Sequence, residues 1–182
     1  MEGMKTMTAI KEAIKTRESR IVHTDQVLSC DLNNYQTLFG GVLMKKIDSA
    51  ACLSARRHSR VKQCVTASTD SIDFLDSIRE TDSVCVESFV SYTGRTSMEI
   101  FCKVIAEDIG TGHRRVAATA FLTFVALDEN KKPVEVPSVI PETEEEKFLF
   151  ETAKDRAEMR KIRRTKSKEL AEYMTLKKPW DR

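Results

Sequence analysis

Residues Asn33 to Arg56, NNYQTLFGGVLMKKIDSAACLSAR, read as a loop running into one long helix. Leu43, Ile47, Ala50 and Ser54 recur at helical spacing, and a second row holds Gly41, Met44, Asp48, Cys52 and Ala55. Together the rows wrap more than half of the helix in apolar or small residues, leaving Lys45, Lys46, Ser49 and Arg56 on the polar side. Asp48 interrupts the second row one turn after Met44 and one turn before Cys52, where a carboxylate needs a partner or a chemical task. Gly40 and Gly41 carry no side chains, so a ligand can approach the first-turn amides, which lack intrahelical acceptors and lie at the positive end of the helix dipole. Such a terminus suits a phosphate, a carboxylate or a polarised carbonyl oxygen. The segment from Gly41 to Asp48 rises about 10 Å, so one substrate could touch both. A glycine-hinged core helix with a hydrogen-bonded aspartate satisfies the same pattern, and the residues alone leave both readings open.

Around this helix the chain is long enough, at 182 residues, to bury one substantial core. A formal charge of +2 favours neither a nucleic-acid protein nor a membrane-surface protein. Cys30, Cys52, Cys64, Cys85 and Cys102 form no C-x-x-C pair, and with three histidines no zinc spacing arises, so no metal site is expected. Most of these cysteines lie in apolar segments, as reduced thiols of a cytoplasmic core do. No stretch approaches a membrane span or a signal peptide, and the expected location is the cytoplasm.

Residues 1–19 are polar and read as a loose, weakly helical lead-in. Arg20 to Leu32 reads as a first strand entering the Asn33 loop. After the helix the period changes: Val65 to Phe74, Ser83 to Tyr92, Ser97 to Ala106 and Arg115 to Leu127 are strand-like and rich in β-branched and aromatic residues. Short connections rich in turn residues join them, as in a meander. The last run is too apolar for a strand wet on one face and is expected centrally or at an oligomer contact. One helix and about five antiparallel strands make an α+β domain over 20–128 in which the sheet wraps the helix. Residues 129–142, with Pro133, Pro137 and Pro141, read as a linker to a charged helical tail, 143–182. Thr143 and Glu146 offer a capping box, and Phe148, Leu149, Ala153, Met159 and Ile162 an apolar stripe. The basic stretch from Arg160 to Lys168 reads first as a solvated helix face, with an anionic partner as the alternative.

The ordered motifs N-N-Y-Q-T-L-F-G-G-V-L-M-K-K-I-D-S-A-A, R-H-S, V-T-A-S-T-D-S-I-D-F and G-R-T-S-M-E-I resemble the hotdog-fold acyl-CoA thioesterases, in particular the bacterial acyl-CoA hydrolases related to the mammalian cytosolic ones. The likeness runs from Arg20 to Asp128, and the P-E-T-E-E-E-K tail is also similar. The resemblance implies a hotdog fold, a dimer as the minimum unit and a hexamer built as a trimer of dimers. It further implies an active site shared between two subunits, with no cofactor beyond the coenzyme A that enters as substrate. It places the catalytic asparagine on Asn33, with Asn34 as a close rival, and the catalytic aspartate on Asp48. The Gly40 and Gly41 amides would then meet the thioester carbonyl, and Asp48 would activate water or, as the alternative, attack directly. Coenzyme A contacts are implied for Gly94, Arg95, Thr96 and Ser97, with Arg57 and His58 as helpers; Ser68, Asp70 and Asp73 are further cleft candidates. Many members of the family carry glycine where this chain has Gln36.

The activity so implied is hydrolysis of medium- to long-chain fatty acyl-CoA. A hotdog dehydratase is disfavoured because no histidine lies between His23 and His58. A non-catalytic acyl-CoA or nucleotide sensor and a nucleic-acid-binding tail are the other classes considered.

Overall fold

The computed structural model describes residues 12–181. In chain order it comprises β1 (Ile14–Lys15), α1 (Thr16–Ser19), β2 (Ile21–Gln26), a 3-10 turn (Ser29–Asp31), α2 (Gly40–Ser59), β3 (Gln63–Phe74), β4 (Asp82–Thr93), β5 (Ser97–Asp108), β6 (Arg114–Leu127), β7 (Val139–Ile140), α3 (Glu144–Glu151) and α4 (Ala153–Tyr173). Strands β2 to β6 form one antiparallel sheet in the order β2-β4-β5-β6-β3, and α2 lies against its inner face. The α+β architecture expected from the change of period is therefore present.

The row Leu43, Ile47, Ala50 and Ser54 is buried, together with Ala51 and Ala55. It meets inward residues of the sheet, among them Val86, Val90, Ile100, Val104, Leu122 and Phe124. Each large aliphatic or aromatic side chain withdrawn from water there contributes about 1.5–3 kcal/mol. Small residues on α2 let helix and sheet approach closely, and a buried polar contact across the packing, Ser54 Oγ to Ser88 Oγ at 2.8 Å, pairs the two hydroxyls. The second row is different. Met44 and Asp48 are exposed and Cys52 only half-buried, because this flank of α2 projects beyond the sheet, beside β3.

The meander comprises only β4, β5 and β6. Strand β3 pairs with β6 at the far edge, not with the β4 that follows it in sequence. Seven residues, 75–81, make the crossing; extended chain of that length reaches about 23 Å, ample for three strand spacings of about 4.8 Å. The crossing is anchored by Leu75 and Asp76 amides on the Ala117 carbonyl and by Arg115, which binds both Asp76 and the buried Asp82. Strand β6 is interior, with neighbours on both sides, which accounts for its apolar composition.

The flanking segments are tied to this body. In residues 12–19, expected to be loose, β1 pairs with β7, and Ser19, buried, accepts from the Val90 amide through its hydroxyl. Residues 1–11 lie outside the described residues. Within 129–142, the Val134 and Val136 amides donate to the Ala126 and Arg95 carbonyls, so this proline-rich stretch straps the sheet. Thr143 and Glu146 form the expected capping box, and Leu149 and Ala153 are buried. Phe148, Met159 and Ile162 of the expected stripe remain exposed. Helix α4 crosses the outer face of the sheet, held by Arg156 and Arg160 on Glu99 and by Arg160 and Arg163 on Asp70.

Candidate functional site

The loop before α2 is built by Asn33. Its Oδ1 accepts from the Tyr35 amide at 2.8 Å and from the Thr37 amide at 3.3 Å, while its Nδ2 lies 3.0 Å from the Thr37 hydroxyl. The Gln36 amide closes the turn on the Asn33 carbonyl, and Leu32 bridges to Leu38. Gln36 occupies the left-handed region at φ 57°, a conformation natural to glycine. Asn34, the rival of Asn33, is exposed and anchors no part of the turn.

The loop delivers the chain to Gly40, where α2 starts with no side-chain cap. The Gly40 and Gly41 amides donate to no acceptor among the described residues. A Cβ at Gly40 would make an ordinary contact, 3.5 Å, with the Phe74 ring. Asn33 and Gly40 line one open cleft of about 570 Å³ with Leu43, Phe74 and Ile78. An asparagine amide and a free helix terminus thus share a cavity, as required for binding a carbonyl oxygen.

Asp48 sits two turns further along α2, outside that cleft. Its Oδ1 accepts from the Thr66 hydroxyl at 2.9 Å, and Oδ2 has no hydrogen bond among the described residues. Thr66 comes from β3, immediately before the register shift between Thr66 and Ser68. Such bulges redirect side chains at a strand edge. Within one chain, then, the cleft at the start of α2 and the Asp48 carboxylate do not converge. Met44 and Leu53 of α2 and Val65 and Phe74 of β3 are also exposed, and the second edge of β3 is unpaired in the single chain.

The turn between β4 and β5 carries Gly94 to Ser97. The Gly94 amide donates to the Ser97 carbonyl at 2.8 Å, and a Cβ on Gly94 would fall 2.9 Å from Ser97 Oγ, which would have to rotate away. Arg95 projects into solvent with a long ion pair, 3.9 Å, to Glu135; the Thr96 carbonyl accepts from the Ala126 amide. Gly94 and Ser97 line a second cleft with Ser68. Asp70 faces α4: burial pushes its carboxyl up, but hydrogen bonds from Ser68 and Thr123 and the charge of Arg160 outweigh this and hold it below the ordinary aspartate value. Asp73 is exposed.

Arg57 and His58 do not join these clefts. Arg57 donates to the Arg20 carbonyl at 2.8 Å. His58 is wholly buried, with Nε2 2.9 Å from the Pro137 carbonyl, because the proline-rich strap passes over the end of α2. That burial removes His58 from any ligand-facing surface. His23 and His113 are exposed, and all five cysteines are free. Among the described residues no three histidine, cysteine, aspartate or glutamate side chains group to hold a metal, and no helix is long and apolar enough to cross a membrane.

Thr66 was not singled out from the sequence, although it lies within the V-T-A-S motif. Its only signal was a hydroxyl in a strand following the aspartate-bearing helix; which face it takes depends on register.

Comparison with known proteins gives the family and the fold. The family model of the thioesterase superfamily matches residues 35–113. An uncharacterized acyl-CoA thioester hydrolase of Bacillus subtilis, YkhA, is 55% identical over 164 residues, 90% of this chain and 95% of that protein. The cytosolic acyl coenzyme A thioester hydrolase of Rattus norvegicus is 37% identical over 149 residues; these span 81% of this chain but 38% of the rat protein. Among solved structures, an acyl-CoA hydrolase from Bacillus cereus superposes with a TM-score of 0.88 at 50% identity, covering 91% of this chain and all of that one. An acyl-CoA hydrolase from Staphylococcus aureus, in complex with butyryl coenzyme A, coenzyme A and coenzyme A disulfide, gives 0.84 at 43% identity over 87% of this chain and 96% of that one. That enzyme has also been solved with an aspartate, a threonine or an asparagine replaced by alanine. A hexameric acyl-CoA thioesterase gives 0.81 at 45% identity, covering 84% and 97%.

Proposed function

Because this chain belongs to the thioesterase superfamily, in the branch of hotdog-fold acyl-CoA thioester hydrolases, we propose that it hydrolyses medium- to long-chain fatty acyl-CoA at a site completed by a second copy of itself. The observation that carries this reading is the Asp48 carboxylate, held by Thr66 on one oxygen and open on the other. The thioester carbonyl docks at the free Gly40 and Gly41 amides, whose hydrogen bonds strengthen as negative charge develops on oxygen. Asn33 lines the same cleft with its Oδ1 committed to the loop and one N–H on the Thr37 hydroxyl, and its second N–H positions the carbonyl or the attacking water. Asp48 of the other copy takes the proton from that water. The water oxygen bonds to the thioester carbon, the tetrahedral intermediate collapses with cleavage of the C–S bond, and the departing thiolate of coenzyme A takes the proton held by Asp48, leaving a free fatty acid. No cofactor is invoked, since coenzyme A enters as part of the substrate.

Three features support pairing of two copies: the clefts of one chain separate Asn33 from Asp48, the outer edge of β3 is unpaired, and apolar side chains of α2 and β3 are exposed. We take a dimer as the working unit and a hexamer as the assembly; the apolar residues Met44 and Phe74 suit an acyl chain. The free thiols fit a cytoplasmic setting.

The test is thiol release from acyl-CoAs of increasing chain length by wild type, Asn33→Ala, Asn34→Ala and Asp48→Ala, each checked for folding. Turnover lost in Asp48→Ala with coenzyme A binding retained supports the mechanism. Wild-type protein that binds coenzyme A but releases no thiol at any chain length makes it a sensor instead.

A further inference from the structure

Helix α4 is fastened to the sheet in a way that leaves part of its charge unused. Arg156 and Arg160 converge on Glu99, whose carboxylate is fully buried, at 2.8 and 3.3 Å, and Arg160 and Arg163 bind Asp70. Lys161 and Arg164, one turn apart on the neighbouring face, have no carboxylate partner among the described residues. Both line the cleft of about 550 Å³ that Gly94, Ser97 and Ser68 line from the sheet side. Glu99 is the one acidic residue lining it, and two arginines already engage it.

The opposite wall supplies donors. Gly94 and Ser97 line the cleft, and between them in the same turn the Arg95 and Thr96 amides have no acceptor among the described residues. Unpaired cations facing a glycine-containing turn with free amides form a phosphate-binding arrangement. We propose that Lys161 and Arg164 bind phosphate groups of the coenzyme A nucleotide against the Gly94–Ser97 turn, so that the C-terminal helix forms one wall of the substrate site. The proposal rests on the acyl-CoA hydrolase reading and extends it to a segment outside the residues matched by the family model. It also divides labour among the basic residues of the tail: Arg156, Arg160 and Arg163 hold the helix in place, while Lys161 and Arg164 meet the ligand.

The test uses the full-length protein and the double variant Lys161→Ala/Arg164→Ala. Both side chains are exposed and unpaired, so the variant keeps the fold. Kinetics are compared on an acyl-CoA and on the corresponding acyl-pantetheine, which lacks the phosphates. The expected result is a KM for acyl-CoA raised about tenfold with kcat within about twofold, acyl-pantetheine kinetics unchanged, and partial rescue by Lys161→Arg restored alone. Unchanged KM for acyl-CoA in an active double variant overturns the proposal while leaving the hydrolase reading intact. Wild-type protein inactive on every thioester defeats that reading instead. In that event, binding of 3′-phosphoadenosine 5′-diphosphate, abolished in the double variant, upholds the phosphate site, and absence of binding to wild type overturns it.

Discussion

The Thr66 hydroxyl donates to Asp48 Oδ1 across 2.9 Å, joining strand β3 to the third turn of α2 at the one acid that breaks the apolar pattern of that helix. A hydrogen bond of this kind orients a carboxylate without occupying its second oxygen. Thr66→Ala is expected to lower kcat about tenfold, the equivalent of one hydrogen bond to a charged group, and Thr66→Ser to restore it. Asp48→Ala is expected to lower kcat by about 10²–10⁴. Both sites are exposed in the chain, so thermal unfolding changes little; thiol release under saturating substrate is the measurement.

Gln36 holds a left-handed conformation in the loop that Asn33 organises. A non-glycine residue there is strained by about 1 kcal/mol, partly offset by its lower unfolded-state entropy. Gln36→Gly is expected to stabilise the protein by no more than about 0.5 kcal/mol, read as a rise in Tm of at most ~2 °C. Asn33→Asp preserves the Oδ1 acceptor of the turn and removes the amide donor. Activity lost in that variant with Tm retained isolates the chemical contribution of Asn33.

His58 makes stability depend on pH. Burial is the largest influence and pushes its imidazole below the ordinary 6.5, against the Pro137 carbonyl and Glu18, with Arg60 adding to the depression. The Pro137 carbonyl accepts from Nε2, and Nδ1 is buried without a partner, so a second proton has no acceptor. As pH falls through about 6.5 the unfolded chain takes up this proton before the folded one does. The stability present above that value is therefore lost progressively toward the lower folded-state value. Denaturant unfolding between pH 7.5 and about 5 should show the slope, and His58→Gln, which keeps a donor for Pro137, should flatten it.

Glu99 is expected to govern docking of α4, because its buried carboxylate receives two arginines. Removing one partner of such a buried cluster costs about 3–5 kcal/mol. Glu99→Ala should raise amide hydrogen exchange through residues 153–173 while α2 stays protected. Asp70 adds an acid limb. Its carboxyl is held below the ordinary value, so its contribution is complete above about pH 4 and is lost as pH falls through the folded-state value. Protection factors in α4, corrected for the intrinsic exchange rate, should accordingly fall on acidification in wild type and already be low in Asp70→Asn.

The amino-acid sequence by itself determined the main elements, though not the short β1, α1 and β7. The spacing of Leu43, Ile47, Ala50 and Ser54 set the buried face of α2, β-branched runs set four strands to within a few residues, and Thr143 with Glu146 set the start of α3. These are local properties, decided by periodicity and by capping chemistry within a few residues. The tertiary structure alone decided the rest. Strand neighbours follow from where a crossing lands, so β3 joined β6 and left its outer edge open. The fate of a side chain follows from what folds over it. His58 and Asp48 lie on the same helix, yet the strap from residues far along the chain buried His58, while the flank of α2 beside β3 left Asp48 exposed with Thr66. Contacts between residues distant in sequence depend on register and on long-range packing, which no local pattern encodes.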